Sequence, residues 1–296
     1  MKKSSPVVIL LALSFGMGAN PASAVQQTIA NPEWSFQDDF EGTEDTVFWG
    51  SQAYTTYGAN CSGDSSASGK SLLLTYQNNV PEFGNSWAEK RFNIPVNAQQ
   101  LEISYDLFVP ANYQRAPKNH KNIVLWSGNY GKSAANISIS SENWPAPDGG
   151  SPSVYIGVDG RNYAHSTISS QPLMLENAQG SWQRVHIYVE LAEREGDFGV
   201  FEIHRNGELL TGTSHPNINP SWDKPPVDEH IEYSSRGNFI DQGYLMGWAN
   251  GGFSETTVFC IDDFTINANT RIASPSSAPP ANLAPMPPAQ LRVQIQ

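Results

Sequence analysis

Long apolar runs are scarce in this 296-residue sequence, and the one that stands out is short and N-terminal. Residues 7–17 are apolar, two lysines precede them, and residues 22–24 read Ala-Ser-Ala, an A-x-A cleavage site. The run is too short to span a bilayer. We therefore interpret residues 1–24 as a secretory signal peptide. We expect an exported protein, periplasmic or extracellular, that does not insert into a membrane.

Basic residues are also scarce. The chain has 17 Lys and Arg against 29 Asp and Glu, a formal net charge of −12. Lys2 and Lys3 would leave with the signal peptide, so the exported chain would be more acidic still. An acidic protein is repelled by the phosphates of nucleic acids and of anionic membranes. The charge balance argues against both as partners, and we expect a monomer.

Cysteine is limited to Cys61 and Cys260. Two cysteines in an exported protein usually pair. Their bond would close most of the mature chain into one loop. By reducing the entropy of the unfolded chain, it would stabilise the fold by about 5 kcal/mol. The sequence therefore predicts a Cys61–Cys260 disulfide.

Helical periodicity is hard to find, and alternation with a period of two recurs instead. Clusters of Gly, Asn, Pro and Ser separate the alternating runs. This pattern predicts an all-β fold, a two-sheet antiparallel jelly-roll sandwich that forms a single domain over 25–268. Residues 269–296, rich in Pro, Ala and Ser, are predicted to be a disordered tail. The predicted strands are 71–76, 101–109, 122–126, 135–140, 153–158, 182–191, 199–205 and 257–266.

Two short motifs lie at opposite ends of the predicted domain: WSFQDDFEGT at 34–43 and FCIDDFTI at 259–266. Together with SGKSLLLTY at 68–76, they resemble the first, last and second strands of the concanavalin A-like lectin/glucanase superfamily. That superfamily includes laminarinase-type hydrolases and polysaccharide-lyase-like proteins. The resemblance implies a jelly roll whose first and last strands are neighbours, which would also bring Cys260 within reach of Cys61.

The same resemblance implies a structural calcium ion. Asp39 and Asp262 would supply carboxylates, and Gly69 could supply a backbone carbonyl. Calcium prefers six to eight hard oxygen ligands, which two carboxylates with carbonyls and water can provide. The alternative is that these acids are ordinary solvated or capping residues at a sheet edge.

The catalytic signatures of the superfamily are missing. No intact E-x-D-x-x-E run supplies the paired carboxylates of a retaining glycosidase. The R-x-E-L-R, Q-[IV]-H and Y-x-K-x-G-x-Y strands of jelly-roll alginate lyases are absent too. The resemblance therefore extends to the fold and to residue types only.

A predicted hairpin over 182–205 gathers polar side chains on one sheet surface. Alternation puts Arg184, His186 and Tyr188 on one face, and a simple antiparallel register places His204 opposite His186 and Glu202 opposite Tyr188. In a lyase, we expect His186 to act as the base, Tyr188 as the acid, and Arg184 or Arg161 to neutralise a carboxylate. Glu202 would bind substrate. The alternative is a merely solvated polar face.

A second candidate lies in RAPKNHKNIVLWSGNYG at 115–131, where basic residues cluster beside aromatic residues. Cations suit a uronate or sulfated sugar, and aromatic rings suit the sugar face. A solvated loop before a core strand would look the same. The predicted substrate contacts are Lys118, His120, Lys121, Trp126 and Tyr130.

Three functions remain open from the sequence. The first is a secreted polysaccharide lyase that cleaves a uronate-containing polymer by β-elimination. The second is a non-catalytic carbohydrate-binding module or lectin, and the third is a cell-surface scaffold tethered by its Pro-rich tail. A concave position for the His/Tyr/Arg patch would favour the lyase.

Overall fold

The computed structural model describes residues 26–62, 64, 69–78, 85–114, 116–117, 119–130, 136–142, 153–158, 161–166, 178–192, 199–212 and 239–270. The predicted signal peptide lies outside these ranges, and so does the predicted tail from residue 271 onward, whereas its first residue, Asn269, ends the last strand. Within them the chain forms strands β1 Trp34–Asp38, β2 Trp49–Ala53, β3 Thr55–Asn60, β4 Lys70–Tyr76, β5 Asn85–Ala98, β6 Gln100–Val109, β7 Asn119–Trp126, β8 Asn136–Glu142, β9 Ser153–Val158, β10 Arg161–Ser166, β11 Ser181–Glu190, β12 Val200–Arg205, β13 Glu208–Gly212, β14 Ile240–Asn250 and β15 Thr257–Asn269.

These strands form two sheets, in which adjacent strands run antiparallel. The eight-stranded sheet has the order β13-β12-β11-β6-β15-β4-β3, with β1 pairing the free part of β15. The seven-stranded sheet has the order β10-β9-β8-β7-β14-β5-β2. The predicted all-β two-sheet sandwich is confirmed. No helix long and apolar enough to cross a membrane occurs among the described residues.

Alternating side chains explain why the sheets pack on each other. In β6, Leu101, Ile103 and Tyr105 are buried, while the residues between them are partly exposed. Because successive residues of a strand point to opposite faces, one face of each sheet is apolar. The apolar faces of both sheets contribute to one hydrophobic core, in which Phe48, Phe92 and Phe264 lie in contact.

The predicted disulfide is present between Cys61 and Cys260, which are 199 residues apart in sequence. Cys260 lies in β15, and Cys61 follows β3. The first and last strands are also neighbours, as expected, since β1 pairs with β15 from Trp34↔Ala268 to Asp38↔Phe264. The two ends of the described chain are therefore joined by hydrogen bonds and by a covalent bond.

Candidate functional site

The predicted hairpin register is confirmed. β11 and β12 pair so that His186 lies opposite His204 and Tyr188 lies opposite Glu202. The face they share points away from the core, since Val185, Ile187 and Ile203 between them belong to the core. Nε2 of His186 lies 3.2 Å from Oε1 of Glu102 on β6.

This patch is nevertheless buried. His186, Tyr188, Glu202 and His204 are each no more than 4% exposed. The chain that precedes β1 crosses over them. The backbone N–H of Gln27 donates to Oε2 of Glu202 at 3.2 Å, and the N–H of Ile29 donates to Glu102 at 2.9 Å. We call residues 26–30 the N-terminal strap.

The contacts of Tyr188 also oppose its expected role as an acid. Burial raises the pKa of its hydroxyl, and the hydrogen bond that it donates to Glu190 raises that pKa further. A phenol that is buried and already bonded to a carboxylate cannot reach a leaving sugar oxygen. The structure thus places the expected base, acid and Glu202 out of contact with a polymer.

The two arginines expected beside the patch lie apart from each other. Arg184 is on β11 and donates to Asp106 and Ser104, 3.2 Å away in both cases. Arg161 begins β10, at the far edge of the seven-stranded sheet. The backbone of Arg161 therefore belongs to the other sheet, and the expectation that it joins His186 is corrected.

The basic cluster at 115–131 divides in a similar way. Lys118 lies outside the described residues. His120 is 1% exposed, and its Nε2 lies 3.0 Å from the hydroxyl of Tyr76 inside the core. Burial lowers the pKa of His120 to about 3, so its ring is neutral near pH 7. The expected contact between His120 and a sugar is therefore corrected.

The remaining residues of that cluster meet on the outer face of the seven-stranded sheet. The pairing of β7 with β8 shifts between Lys121 and Ile123, so Lys121 shares this face with Trp126 although the two are an odd number of residues apart. Strands β5 and β14 supply the other members. We call this set the aromatic face: Trp87, Glu89, Arg91, Lys121, Trp126, Tyr130, Tyr244 and Trp248.

One end of the aromatic face is a charged row, formed by Arg91, Lys121, Tyr130 and Tyr244. The guanidinium of Arg91 lies 5.7 Å from the ring centre of Trp126 and 5.3 Å from that of Tyr130. The hydroxyl of Tyr130 lies 3.3 Å from that of Tyr244 and 3.5 Å from Nζ of Lys121. Tyr130 is 42% exposed, whereas Tyr244 is buried. An accessible phenol therefore lies beside two cations.

Glu89 moderates the charge of this row. Its carboxylate accepts from Nε of Arg91 at 2.6 Å and from the indole N–H of Trp87 at 3.1 Å. Because Glu89 and Arg91 offset each other, Lys121 leaves the row with a net positive charge. An anionic ligand is thus favoured here even though the whole protein is acidic.

The other end of the aromatic face is uncharged. Trp87 on β5 and Trp248 on β14 lie directly opposite each other, with ring centres 5.0 Å apart and planes 2° apart. Tyr54, which is 51% exposed, lies edge-on to Trp87, and the centres of the two rings are 6.2 Å apart. Both tryptophans are half-buried. This end offers aromatic surface without a formal charge.

Sequence reasoning predicted Lys121, Trp126 and Tyr130 as sugar contacts but missed their partners on β5 and β14. Trp126 is 1% exposed and packs against Tyr130, so its expected contact with a sugar is corrected. The pattern that could have identified β5 is Trp87-x-Glu89-x-Arg91, which alternates with Ala88 and Phe92. Lys90 disguises that pattern, because it points inward, fully buried, and pairs with Glu44. One lysine on the core side makes the strand look polar on both faces.

An open cavity of about 590 Å³ lies at the other sheet, between β1, β15 and the segment 39–45. Asp38, Asp39, Arg184 and Asp263 line it. The carboxylate of Asp38 is occupied by the hydroxyl of Tyr57 and by the indole N–H of Trp49. This cavity lies near the expected calcium ligands.

The structure alters the expected calcium ligands in one respect. Burial and the carboxylates of Asp263, Asp106 and Glu41 raise the pKa of Asp262 to about 6. Oδ1 of Asp39 accepts the backbone N–H of Glu41. Glu41, which also reaches the Gly69–Lys70 backbone, is thus the better first-strand ligand.

These residues fit calcium in part. Glu41 and Asp262 are hard oxygen donors, but calcium takes six to eight oxygens. Among the described residues, no group of three or more His, Cys, Asp and Glu side chains is placed to hold a metal. Carbonyl and water oxygens would have to complete the shell, and calcium binding remains a prediction.

A chelator tests that prediction. We expect EDTA to lower the melting temperature of the protein, because an ion bound only by the native state stabilises it by about 2.7 kcal/mol at a concentration 100 times its Kd. Glu41→Gln should remove this response, and Asp39→Asn, the matched control, should keep it. A melting temperature that chelator leaves unchanged would show that no such site is filled.

Comparison with solved structures finds chains that are similar to this one at low identity. The alginate lyase Aly36B is 12% identical, with a TM-score of 0.49, over 81% of this chain and 98% of that chain. An endo-β-1,4-glucuronan lyase from the fungus Trichoderma reesei is 13% identical, with a TM-score of 0.45, over 81% of this chain and 96% of that chain. The Emp46p carbohydrate recognition domain is 12% identical, with a TM-score of 0.45, over 80% of this chain and 97% of that chain.

No protein-family model matches the chain, and no curated protein matches it. At these identities the likeness concerns the fold alone. The two antiparallel sheets and the paired terminal strands agree with the jelly-roll fold that the resemblance implied.

Proposed function

We propose that this protein is exported, and that it binds a uronate-containing polysaccharide on the aromatic face and cleaves it by β-elimination. The observation that carries the proposal is the charged row, where the accessible phenol of Tyr130 lies within 3.5 Å of an ammonium and within 3.3 Å of a second phenol. An arginine beside the same ring completes the set of groups that elimination needs.

Each group has a role in that reaction. Arg91 pairs with the uronate carboxylate and stabilises the negative charge that develops next to C5. The Tyr130 oxygen takes the proton from C5 and then donates that same proton to the leaving oxygen on C4, so Tyr130 ends in the state in which it began. The C4–O bond breaks and a C4=C5 double bond forms. Lys121 and Tyr244 hydrogen-bond to the Tyr130 oxygen and hold it in place.

Binding without cleavage is the second candidate, favoured by the uncharged Trp87–Trp248 end of the face. Aromatic platforms and a few cations suffice for a lectin, which needs no group to move a proton. The two candidates share one ligand and one surface, so a single experiment separates them.

That experiment exposes the mature protein to alginate, glucuronan and a neutral β-glucan. Calorimetry measures binding, and ultraviolet absorbance measures the C4=C5 bond. We expect binding of a uronate polymer and a rise in absorbance. Binding without absorbance would establish the non-catalytic candidate, and binding to the neutral glucan alone would contradict the charged row as the site.

A further inference from the structure

We infer that Trp87, Trp248 and Tyr54 form a second sugar-binding position for the same polysaccharide chain, so that the protein recognises a polymer and not a single sugar. The inference rests on the proposed function, because the proposed function assigns the uronate carboxylate to the charged row. The second position would lie at a fixed distance from that row, so the affinity for an oligosaccharide should depend on the length of its chain.

The distance follows from strand geometry. Trp87 and Arg91 are four residues apart on β5 and on the same face, which corresponds to about 13 Å at ~3.3 Å per residue. Their partners on β14 keep the same spacing, since Trp248 lies opposite Trp87 and Tyr244 lies opposite Arg91. The face therefore carries two parallel rows, one aromatic and one charged, both crossing the strands.

The rows are physically connected. Glu89 lies between them on β5 and bonds to both, through the indole N–H of Trp87 and through Nε of Arg91. Two rows fixed on one rigid strand present a continuous surface to one extended ligand. This continuity favours a single polymer chain that crosses both rows over two separate ligands.

The backbone at Tyr54 supports a binding role for the aromatic row. Tyr54 has a φ of 52°, a left-handed conformation that costs a non-glycine residue energy. The strained turn between β2 and β3 is held by a hydrogen bond from the N–H of Thr75 to the Tyr54 carbonyl at 2.9 Å. It leaves a 51% exposed tyrosine at the edge of the tryptophan pair. Strain that displays an aromatic side chain is typical of a ligand site.

The chemistry of the aromatic row suits the ring of a sugar. A pyranose has an apolar face of C–H groups, which packs on an aromatic ring while its hydroxyls reach water. A tryptophan pair with no formal charge would pack against this C–H face whether or not the sugar carries a carboxylate. The charged row would then select the uronate, and the aromatic row would add affinity for any neighbouring unit.

The test compares oligosaccharide lengths. Binding of size-fractionated alginate and glucuronan oligomers, from disaccharide to hexasaccharide, is measured by calorimetry for wild type, Trp248→Ala, Tyr54→Ala and Arg91→Ala. We expect Trp248→Ala to weaken hexasaccharide binding about ten-fold and to leave disaccharide binding unchanged. Tyr54→Ala, a change on the surface, should act in the same direction without affecting folding. Arg91→Ala should weaken both lengths.

Trp182→Ala is the matched control, since Trp182 is a half-buried tryptophan on the other sheet. Equal losses for both lengths in Trp248→Ala and Tyr54→Ala, or no loss in either, would overturn the second position while the proposed function stands. Failure of every oligomer to bind the wild type, or unaffected binding in Arg91→Ala, would instead overturn the proposed function and the inference with it.

Discussion

Replacing both cysteines with serine should lower the free energy of unfolding by about 2–5 kcal/mol. The bond closes a loop of 199 residues, so its loss would release a large conformational entropy to the unfolded chain. Both sulfurs are also buried against Phe108. Urea denaturation of the wild type, of the double serine variant and of the reduced wild type measures the difference.

Reduced wild type is the control for the substitution itself, and it should match the double variant. Two titratable thiols in unfolded, unreduced protein would contradict the bond. A variant as stable as the wild type would mean that hydrogen bonds between β15 and its neighbours already hold the ends of the domain.

Tyr130→Phe should reduce β-elimination by roughly 10²-fold or more, because it removes the proton-transferring oxygen. The ring that lies beside Arg91 remains, so oligosaccharide affinity should change little. Initial rates of ultraviolet absorbance over a range of polymer concentrations separate kcat from KM. The expected result is a loss in kcat with KM retained.

Tyr188→Phe is the matched control for this variant. It removes a hydroxyl from a tyrosine on the other sheet, where the side chain is buried and out of contact with a polymer. We expect its rate to stay near that of the wild type. A Tyr130→Phe protein that still eliminates at the full rate would remove Tyr130 from the mechanism.

The parts of the fold that the sequence predicted are those with a clean alternation. β11 has apolar Val185, Ile187 and Val189 on one side, so its boundaries could be predicted to within one residue and its register against β12 to the residue. β5 has no such contrast, because Trp87 faces outward and Lys90 faces inward. The buried lysine pairs with Glu44, 46 residues away, and strand periodicity cannot predict such a tertiary contact.

The candidate site was predictable only in part for the same reason. Local alternation correctly put His186 and His204 on one face, but it could not show that the N-terminal strap covers that face, since Gln27 and Glu202 are 175 residues apart. Tyr130 and Tyr244 meet across 114 residues. Residue type and spacing identified candidate groups, and only strand order decided which of them share a surface.

The disulfide also determines how the molecule would behave under tension. Strands β5, β7 and β14, which carry most of the aromatic face, all lie between Cys61 and Cys260. A force applied to the two ends of the chain would pass through the sulfur–sulfur bond and would not stretch the segment that it closes. Only the residues outside this covalent loop could extend. Tension between the two ends of the chain would therefore unfold the outer strands first and leave the ligand-binding strands of the loop folded.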